Sequence, residues 1–355
     1  MKFEPVQRVE IQNYGCVREL ALELTPLHAL IGPNDSGKTT VLRALRTAMQ
    51  FGASSFRRDS EGEWHPFEPM IQAGVSVRVV YRDARAYLFR AGSDHQLEEV
   101  VDLPDQAPLH RVRYGWNDPG YVQALNDPSG ILLRERMSTA TMVRFEPDYL
   151  RQPARLIPER EALAFVDERG RGLASVFDAI VNRDVTAFLQ IQSEARQLFP
   201  TVQKIRLSNI DDGHKALAIE LVDGTVVDAR AMSEGLLYYL AFSALRYLDG
   251  SRIFLIEEPE NGLHPARIAD VMRVLREISK TSQVLIATHN PLVLNELLAE
   301  EVTVLTRDAA GTHATRIKDT PNFEERSQVY ALGELWLSYA NGADEAPLLR
   351  GEART

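Results

Sequence analysis

The sequence predicts an α/β fold in which helices flank a mixed β-sheet, and three observations lead to this prediction. A short apolar strand, Leu27–Ile31, runs directly into a glycine-rich turn and then into a segment with helical periodicity. Over residues 253–306, short apolar strands alternate with helical segments, an order typical of a helix-covered, mostly parallel sheet. The composition, 45% apolar and 25% charged, is that of a globular protein and excludes disordered and collagen-like chains.

The first elements follow from their periodicity. After the strand at residues 27–31, the apolar residues of the next segment share one helical face: Val41, Leu42, Leu45 and Met49. Residues 75–81 place alternate apolar side chains on one side, which predicts a strand. Residues 90–140 carry prolines and many turn-forming residues, and no element can be assigned to them.

The second half is more regular. We predict a strand at residues 141–145 and a helical stretch over 173–199 that Pro200 ends. The elements after it are three strands (204–207, 216–222, 225–228), a helix that is apolar nearly all round (235–248), a buried strand (253–256), an amphipathic helix (266–280) and two more buried strands (284–288, 302–306). Asp223-Gly224 marks a hairpin turn between the strands at 216–222 and 225–228.

Length, charge and cysteine content limit the class of protein. The 355 residues indicate two domains, or one large domain with an insertion. The net charge of −10 argues against a broad basic coat for nucleic acid, although it leaves a local basic groove open. A single cysteine, Cys16, excludes an intrachain disulfide and the common cysteine-type zinc clusters. Without a bilayer-spanning apolar run or an apolar signal core, we expect a soluble, cytoplasmic protein that makes no membrane contact.

The strongest motif is GPNDSGKT at residues 32–39, which fits the P-loop pattern G-x-x-x-x-G-K-[ST]. Its glycines let the backbone wrap closely, so that successive N–H groups point at phosphate oxygens. Lys38 reaches the β- and γ-phosphates, where it also serves catalysis, and Thr39 offers its hydroxyl to Mg²⁺. A chance glycine-rich turn is the alternative, but a strand before the loop and a helix after it favour a phosphate site. The predicted ATP-binding residues are Gly32, Pro33, Asn34, Asp35, Ser36, Gly37, Lys38, Thr39 and Thr40.

Two adjacent carboxylates, Glu257 and Glu258, end the apolar strand at residues 253–256. Charges at the end of a buried strand are costly unless they are partnered, and a metal ion is a suitable partner. We expect Glu257 near the Mg²⁺ shell, directly or through water, and Glu258 facing the γ-phosphate, where it orients or deprotonates the attacking water. The alternative is two solvated residues that open a loop.

Two further segments are candidates for phosphate contacts because of their positions after a strand and before a helix. His289 directly follows the strand at residues 284–288, from where an imidazole can hydrogen-bond the γ-phosphate; a structural histidine is the alternative. Ser233, Glu234 and Gly235 precede the apolar helix. Ser233 is either an ordinary helix cap or part of a second phosphate site at the helix N-terminus.

In this order, the motifs resemble those of ABC-type ATPases, especially the heads of SMC-related, RecF-related and overcoming-lysogenization-defect (OLD) proteins. The resemblance covers residues 1–50 and about 200–310. It rests on the stretches IQNYGCVRELALELTPLHALIGPNDSGKTT, MSEGLLYYLAFSALRYL, FLIEEPENGLHP and ATHNP. It implies an ABC-type P-loop NTPase head with an internal α+β or helical insert. The corresponding division is an N-terminal head part (1–85), an insert or lid (86–200), a C-terminal head part (201–318) and a tail (319–355).

The resemblance also assigns roles. It implies that Lys38 and Thr39 bind phosphate and Mg²⁺, that Glu258 is catalytic and that His289 is the switch histidine. The segment Ser233, Glu234 and Gly235 would be the signature that caps ATP bound to a second subunit, and Glu260 and Asn261 would lie in a loop that contacts that subunit. Two copies would therefore meet head-to-tail around two ATP molecules, as an ATP-dependent homodimer.

The sequence departs from the family pattern at three points. Glu257 stands where many ABC proteins carry Asp, and the signature is Ser-Glu-Gly rather than Ser-Gly-Gly. For the Mg²⁺-sensing glutamine we predict Gln152 first and Gln72 second; a surface glutamine is the alternative for both.

Spacing separates the subfamilies. SMC-type heads insert a long coiled coil between the P-loop and the signature, and this chain has no heptad run of that length. OLD-type nucleases continue into a metal-dependent nuclease domain, whereas no acidic metal-binding cluster follows Thr306 here. We therefore expect a stand-alone head; the GLHP segment fits OLD-like heads better than RecF.

An ATP-dependent dimer is a switch, and two kinds of work fit it. The first is DNA- or RNA-associated work in repair or in defence against foreign genomes, because arginines cluster in the insert, with two more after the P-loop helix: Arg144, Arg151, Arg155, Arg160, Arg169, Arg171, Arg57 and Arg58. The alternative is a solvated face in which acids pair with these arginines: Glu146, Asp148, Glu159, Glu161, Asp167 and Glu168.

The second kind of work is the control of a separate effector, such as a nuclease encoded as another chain. The insert or the apolar patch at residues 332–337 (LGELWL) would then be the docking surface, although the patch can equally pack on the head. A transporter ATPase subunit is the remote alternative. The Ser-Glu-Gly signature, the ENGLHP segment and the long insert all argue against it.

Overall fold

The computed structural model describes residues 4–53, 56–58, 64–66, 74–83, 85–92, 96–102, 110–115, 139–320 and 323–340. The chain forms two compact units. The first comprises Met1–Thr141, Arg252–Leu255 and Ser279–Thr355; the second comprises Met142–Ser251 and Ile256–Ile278.

The strands, in chain order, are β1 (Val6–Tyr14), β2 (Val17–Glu23), β3 (Leu27–Ile31), β4 (Phe56–Arg58), β5 (Trp64–Pro66), β6 (Ser76–Tyr81), β7 (Ala86–Ala91), β8 (Gln96–Asp102), β9 (His110–Gly115), β10 (Thr139–Val143), β11 (Ala154–Arg155), β12 (Val202–Asn209), β13 (His214–Leu221), β14 (Val226–Asp228), β15 (Ser251–Glu257), β16 (Gln283–Thr288), β17 (Val302–Asp308) and β18 (Gly311–Arg316).

The helices are α1 (Lys38–Ala53), α2 (Pro147–Leu150), α3 (Leu173–Arg183), α4 (Val185–Leu198), α5 (Glu234–Ala244), α6 (Pro265–Ile278), α7 (Pro291–Leu294), α8 (Phe323–Ser327) and α9 (Leu332–Ala340). No helix in the described part of the chain is both long and apolar enough to cross a membrane.

Two six-stranded sheets carry most strands of the first unit. One is antiparallel throughout, with the order β2-β1-β6-β7-β8-β9. The other, the central sheet, has the order β10-β15-β16-β3-β17-β18. The fully buried β3 lies between β16 and β17 and is parallel to both, while β18 returns antiparallel to β17. A strand buried on both faces must be apolar throughout, which explains the run LHALI.

Helix α1 packs on these sheets through the face that its periodicity predicts. Val41, Leu42, Leu45 and Met49 are each at most 1% exposed. The helix begins at Lys38, directly after the glycine-rich turn that follows β3. The strand-loop-helix context expected of the P-loop is therefore present.

Two buried polar side chains connect β3 and the segments before it to later strands of the central sheet. Gln283 accepts a hydrogen bond from Val6 N (2.9 Å) and donates to Val6 O (2.8 Å) and Thr25 O (3.0 Å). The His28 ring lies within hydrogen-bond distance of the Thr25 hydroxyl (3.1 Å) and the Thr303 hydroxyl (3.0 Å). Burial, with a smaller contribution from the positive charge of Arg316, lowers the pKa of His28 to about 3, so this imidazole is neutral.

The second unit contains the third sheet, β11-β13-β12, with β14 paired to β13. Helices α3 and α4 pack against this sheet, and α5 packs against α4 and α6. The residues of α5 from Leu236 to Ala244 are all buried, which agrees with a helix that is apolar on every side.

Most predicted elements are present with shifted ends, and two predicted helices differ. The stretch 173–199 is two helices, because the Asp184 side chain accepts hydrogen bonds from Thr186 N (3.0 Å) and Ala187 N (3.1 Å) and starts a new helix. The helix predicted over 235–248 ends at Ala244 and continues as a 3₁₀ turn over Leu245–Tyr247. The four-part domain division stays a prediction.

The apolar patch at residues 332–337 lies at the start of α9, which packs on α7. Leu335 and Trp336 are buried, and Gly333 N donates to the Asn295 side chain at 2.9 Å. Leu337 remains 44% exposed. The interpretation of this patch as packed on the head therefore holds for Leu335 and Trp336 but not for Leu337.

Candidate functional site

The predicted site residues divide between the two units. The P-loop and His289 belong to the first unit, and the carboxylates, the signature segment and the loop after Glu258 belong to the second.

The P-loop closes around its own lysine. The Lys38 ammonium donates to Gly32 O and Pro33 O, both at 2.8 Å, and the residue is only 9% exposed. Asp35 takes a positive φ of 67°, a conformation that costs a residue with a Cβ about 1–2 kcal/mol. The loop is therefore a tight, preformed turn around a buried positive charge.

Both P-loop glycines are required by close contacts. Gly37 has φ +100°, and a Cβ there would lie 2.7 Å from Thr312 Oγ1 and 3.0 Å from Cys16 Sγ. A Cβ on Gly32 would lie 2.2 Å from Leu305 O and 2.6 Å from Ser36 Oγ. No side chain fits at either position without displacing a neighbour, and a close-wrapped glycine backbone is what phosphate binding by N–H groups needs.

The hairpin turn between β1 and β2 supports the loop from one side. Cys16 Sγ lies 3.4 Å from Thr40 Oγ1 and 3.6 Å from Thr312 Oγ1. Gly15, at φ +56°, would bring a Cβ to 2.9 Å from Thr40 Cγ2. The stretch NYGC therefore contributes to the phosphate loop, although it precedes the motif by some twenty residues.

Two of the residues expected to contact ATP or Mg²⁺ carry buried polar atoms for which the described part of the chain supplies no hydrogen-bond partner. They are the Ser36 hydroxyl oxygen and Glu257 Oε1. Burying such atoms without a partner costs about 1–3 kcal/mol each, so an unsatisfied atom in a native site needs an explanation. A phosphate near Ser36 and a divalent cation at Glu257 would each supply the missing partner, so these residues fit ATP and Mg²⁺.

The second carboxylate is held by the loop that follows it. Glu258 has φ +46°, and its Oε2 accepts a hydrogen bond from Asn261 Nδ2 at 2.6 Å. Asn261 N also donates to Glu258 O at 3.0 Å. A strained backbone in a native protein persists where the surrounding structure fixes it, and it is common at functional sites.

The loop then packs on the signature helix. Gly262 has φ +69°, and a Cβ there would lie 2.6 Å from Tyr238 Cε2 and 3.0 Å from Glu234 Oε2. The Tyr238 hydroxyl donates to Phe145 O at 3.2 Å, and burial raises the pKa of Tyr238 to about 12. The loop after Glu258 and the helix after Ser233 are thus one packed assembly.

At the start of that helix, Ser233 caps α5 by accepting a hydrogen bond from Leu236 N at 3.4 Å. Its capping role is thus present, and its role as a second phosphate site stays a prediction. Gly235 differs from Gly262, because a Cβ on Gly235 would have nothing within 4 Å.

Several arginines of the predicted basic groove are paired with acids inside the second unit. Arg151 lies 3.2 Å from Asp148 and 3.9 Å from Glu234, with its side chain 20% exposed. Three more such pairs are Arg144–Glu257 (3.7 Å), Arg169–Glu146 (3.6 Å) and Arg171–Asp167 (3.4 Å). Arg169 and Arg171 also stack on the Tyr149 ring. This pattern favours the paired, solvated face over a continuous groove for phosphates.

The remaining predicted site residues differ in their exposure. His289 is exposed and directly follows β16, and its role at the γ-phosphate stays a prediction. Glu260 is buried, at 6% exposed, in the loop after Glu258. Gln152 is half-buried just after α2, and Gln72 lies outside the described residues.

Sequence reasoning missed three contributors: Cys16 and Thr312 beside Gly37, and Arg144 beside Glu257. Cys16 and Thr312 lie far from the motif in the chain and carry no pattern of their own. Arg144 did have a signal, because it directly follows a strand that neighbours β15. Because Arg144 belongs to a charge-rich stretch, it was interpreted as part of a basic groove and not as a neighbour of Glu257.

The chain is similar to known proteins along most of its length. Residues 27–295 match the family model described as "AAA domain, putative AbiEii toxin, Type IV TA system". The OLD nuclease of Thermus scotoductus is 45% identical over 40 residues, 11% of this chain and 8% of that protein. The Septu protein PtuA of Bacillus mycoides is 22% identical over 327 residues, 84% of this chain and 40% of that protein. The chain thus spans less than half the length of either relative.

A solved structure supports the fold. The crystal structure of the SmcHead bound to the C-winged helix domain of ScpA superposes with a TM-score of 0.54 at 12% identity, covering 87% of this chain and 96% of that chain. The predicted fold class, an ABC-type P-loop NTPase head with a mixed sheet and flanking helices, is confirmed. The resemblance to the SMC and OLD group is confirmed as well.

Proposed function

Because the chain belongs to the AAA-domain family matched over residues 27–295, a family of ATPases, we propose that it binds and hydrolyses ATP as a switch in which two copies close around the nucleotide. The observation that carries this proposal is the P-loop. A buried lysine, two glycines that exclude any side chain and the Ser36 hydroxyl converge on one tight turn at the start of α1.

Each residue then has a chemical role. Residues 32–40 bind the phosphates through backbone N–H groups and Lys38, and Thr39 and Glu257 hold Mg²⁺. Mg²⁺ held by these residues would supply positive charge that stabilises the phosphates. Glu258, oriented by Asn261, positions the attacking water and accepts its proton, and His289 donates a hydrogen bond to the γ-phosphate.

The signature segment supports the head-to-tail homodimer. Ser233 and Glu234 are exposed, and Gly235 faces open space within its own chain. A glycine in the first turn of a helix without a steric reason in its own chain fits a close approach by a ligand of another subunit. Asn261 is exposed in the loop packed beside this helix, which suits it to contact that subunit, whereas Glu260 is buried in the same loop.

For the work coupled to the switch, we favour control of a separate effector such as a nuclease. Four of the insert arginines that suggested a nucleic-acid groove, Arg144, Arg151, Arg169 and Arg171, are paired with acids, which weakens the case for such a groove. DNA- or RNA-associated work, in repair or defence, is the second candidate, favoured by the number of arginines in the insert.

The test is steady-state ATP hydrolysis with and without duplex DNA at moderate salt, with Glu258→Gln as the blank. ATP turnover absent from the blank is expected, with no stimulation by DNA. Dimer formation is followed by light scattering on Glu258→Gln with ATP, and Gly235→Ala is expected to prevent it without loss of thermal stability. Stimulation of ATP hydrolysis by DNA would favour the nucleic-acid alternative. A Gly235→Ala variant that still dimerises would contradict the role of the signature segment.

A further inference from the structure

Glu257 is a buried carboxylate with an unusual partner. The residue is 6% exposed, and its Oε1 has no hydrogen-bond partner among the described residues. Its Oε2 lies 3.7 Å from Arg144 Nη1. Glu257 ends β15, and Arg144 directly follows β10, the neighbouring strand of the central sheet. The guanidinium thus reaches the carboxylate from the next strand end.

The backbone of Arg144 is fixed, whereas its side chain has room to move. Arg144 N donates to Glu168 O at 2.7 Å, so its backbone is fixed. Its side chain is 54% exposed and therefore has room to turn toward solvent. A distance of 3.7 Å is too long for a hydrogen bond, so the attraction between the two groups is electrostatic and a bond rotation ends it.

A cation at Glu257 must compete with this guanidinium. An ionised, buried carboxylate without a positive neighbour is strongly disfavoured, so a cation beside Glu257 stabilises its charged form. A divalent ion and a guanidinium at one carboxylate would repel each other, because like charges a few ångströms apart in a partly buried site interact strongly. Occupation by one therefore weakens occupation by the other.

We propose that Arg144 is a tethered counter-ion that neutralises Glu257 while no divalent cation is bound and lowers the affinity of that site for the cation. The inference rests on the proposed function, which assigns Mg²⁺ to Glu257. Arg144 is a positioning residue, because it acts on the metal through the carboxylate. Binding of a divalent cation requires the guanidinium to turn away from Glu257. A cation that binds weakly therefore does not displace it.

The experiment measures Mn²⁺ affinity by electron paramagnetic resonance in the presence of ATP. Four variants are compared with the unmodified chain: Arg144→Gln, Arg144→Lys, Arg169→Gln and Glu257→Gln. Arg169 is the matched control, because it forms a similar ion pair with Glu146 in the same unit. Thermal unfolding of each variant with and without Mg²⁺-ATP gives a second readout that does not depend on turnover.

Arg144→Gln is expected to bind Mn²⁺ more tightly by up to about fivefold, the range that a partly exposed ion pair supports. Arg144→Lys and Arg169→Gln should stay near the unmodified value. Arg144→Gln alone should unfold at a lower temperature without Mg²⁺-ATP and recover when it is added, because the buried carboxylate then regains a counter-ion.

Unchanged or weaker Mn²⁺ binding in Arg144→Gln would overturn the inference, as would an equal gain in Arg169→Gln. The Glu257→Gln variant tests the proposed function itself, which assigns the metal to Glu257. If Glu257→Gln binds Mn²⁺ with ATP as tightly as the unmodified chain, the metal is not held by Glu257, and both the ligand assignment and the competition are wrong.

Discussion

The contact between the loop after Glu258 and the signature helix can be measured by adding one methyl group at Gly262. Gly262→Ala places a Cβ 2.6 Å from the Tyr238 ring and 3.0 Å from a Glu234 carboxylate oxygen, at φ +69°. Tyr238 is 4% exposed and hydrogen-bonded to Phe145 O, so it cannot turn away freely. The variant therefore combines backbone strain with overpacking.

The two costs can be separated with Gly224, a glycine of the same unit at φ +84°, where an added Cβ would have nothing within 4 Å. Gly224→Ala bears only the left-handed backbone cost, about 1–2 kcal/mol. Gly262→Ala bears the same cost and a further 1–3 kcal/mol, roughly, for forcing a methyl group into a packed contact. The expected difference between the two variants is thus about 1–3 kcal/mol.

The assay is equilibrium unfolding in urea, with ATP hydrolysis measured on the same preparations. Gly224→Ala should lower the midpoint slightly and keep its ATPase rate. Gly262→Ala should lower the midpoint further and lose activity, because displacing the loop moves Asn261 and with it the Glu258 carboxylate. Equal losses of stability in the two variants would refute the argument that the loop and the helix are packed as one assembly.

Three further predictions concern single groups. Lys38→Ala should abolish ATP binding in a fluorescent-nucleotide titration; retained affinity would contradict the phosphate site. Asn261→Ala should keep ATP affinity but slow hydrolysis about 10- to 100-fold, since it frees the Glu258 carboxylate from its hydrogen bond; a normal turnover number would contradict this role. The folded-state pKa of His28, about 3, lies below its ordinary value of 6.5, so the unfolded chain takes up the proton first as the pH falls. Stability should therefore decline below pH 6.5 by up to about 1.4 kcal/mol per pH unit, and His28→Gln should flatten this slope in pH-dependent urea unfolding.

The fold was largely predictable because its signals are local. The apolar run at residues 27–31 and the GKT that follows define a strand, a phosphate loop and a helix without reference to the rest of the chain. The break at Asp184 was missed because its cap is a side-chain hydrogen bond within a segment of continuous helical periodicity. Apolar periodicity records which face is buried, not where one helix ends and the next begins.

The residues proposed to carry the chemistry were identified from sequence motifs. The residues that contact them from distant parts of the chain were not. Glu257 and Glu258 stand out because charges rarely end a buried strand. Arg144 and Cys16 act through contacts between segments that are distant in the chain, 113 and 24 residues from the groups that they touch. Such pairs leave no trace in spacing, so only the folded structure assigns them.

The placement of β3 also affects how the protein is made. Both neighbours of this strand, β16 and β17, come more than 250 residues later, and Val6 and Thr25 share the amide of Gln283. On the ribosome, the P-loop strand therefore emerges long before anything can pair with its edges. An apolar strand that stays unpaired during this part of synthesis can misfold or bind chaperones. Release of residues 283–316 from the exit tunnel is then the event that completes the central sheet. Nascent chains ending before residue 283 should stay sensitive to protease around residues 27–31, and the chain released from the ribosome should become resistant.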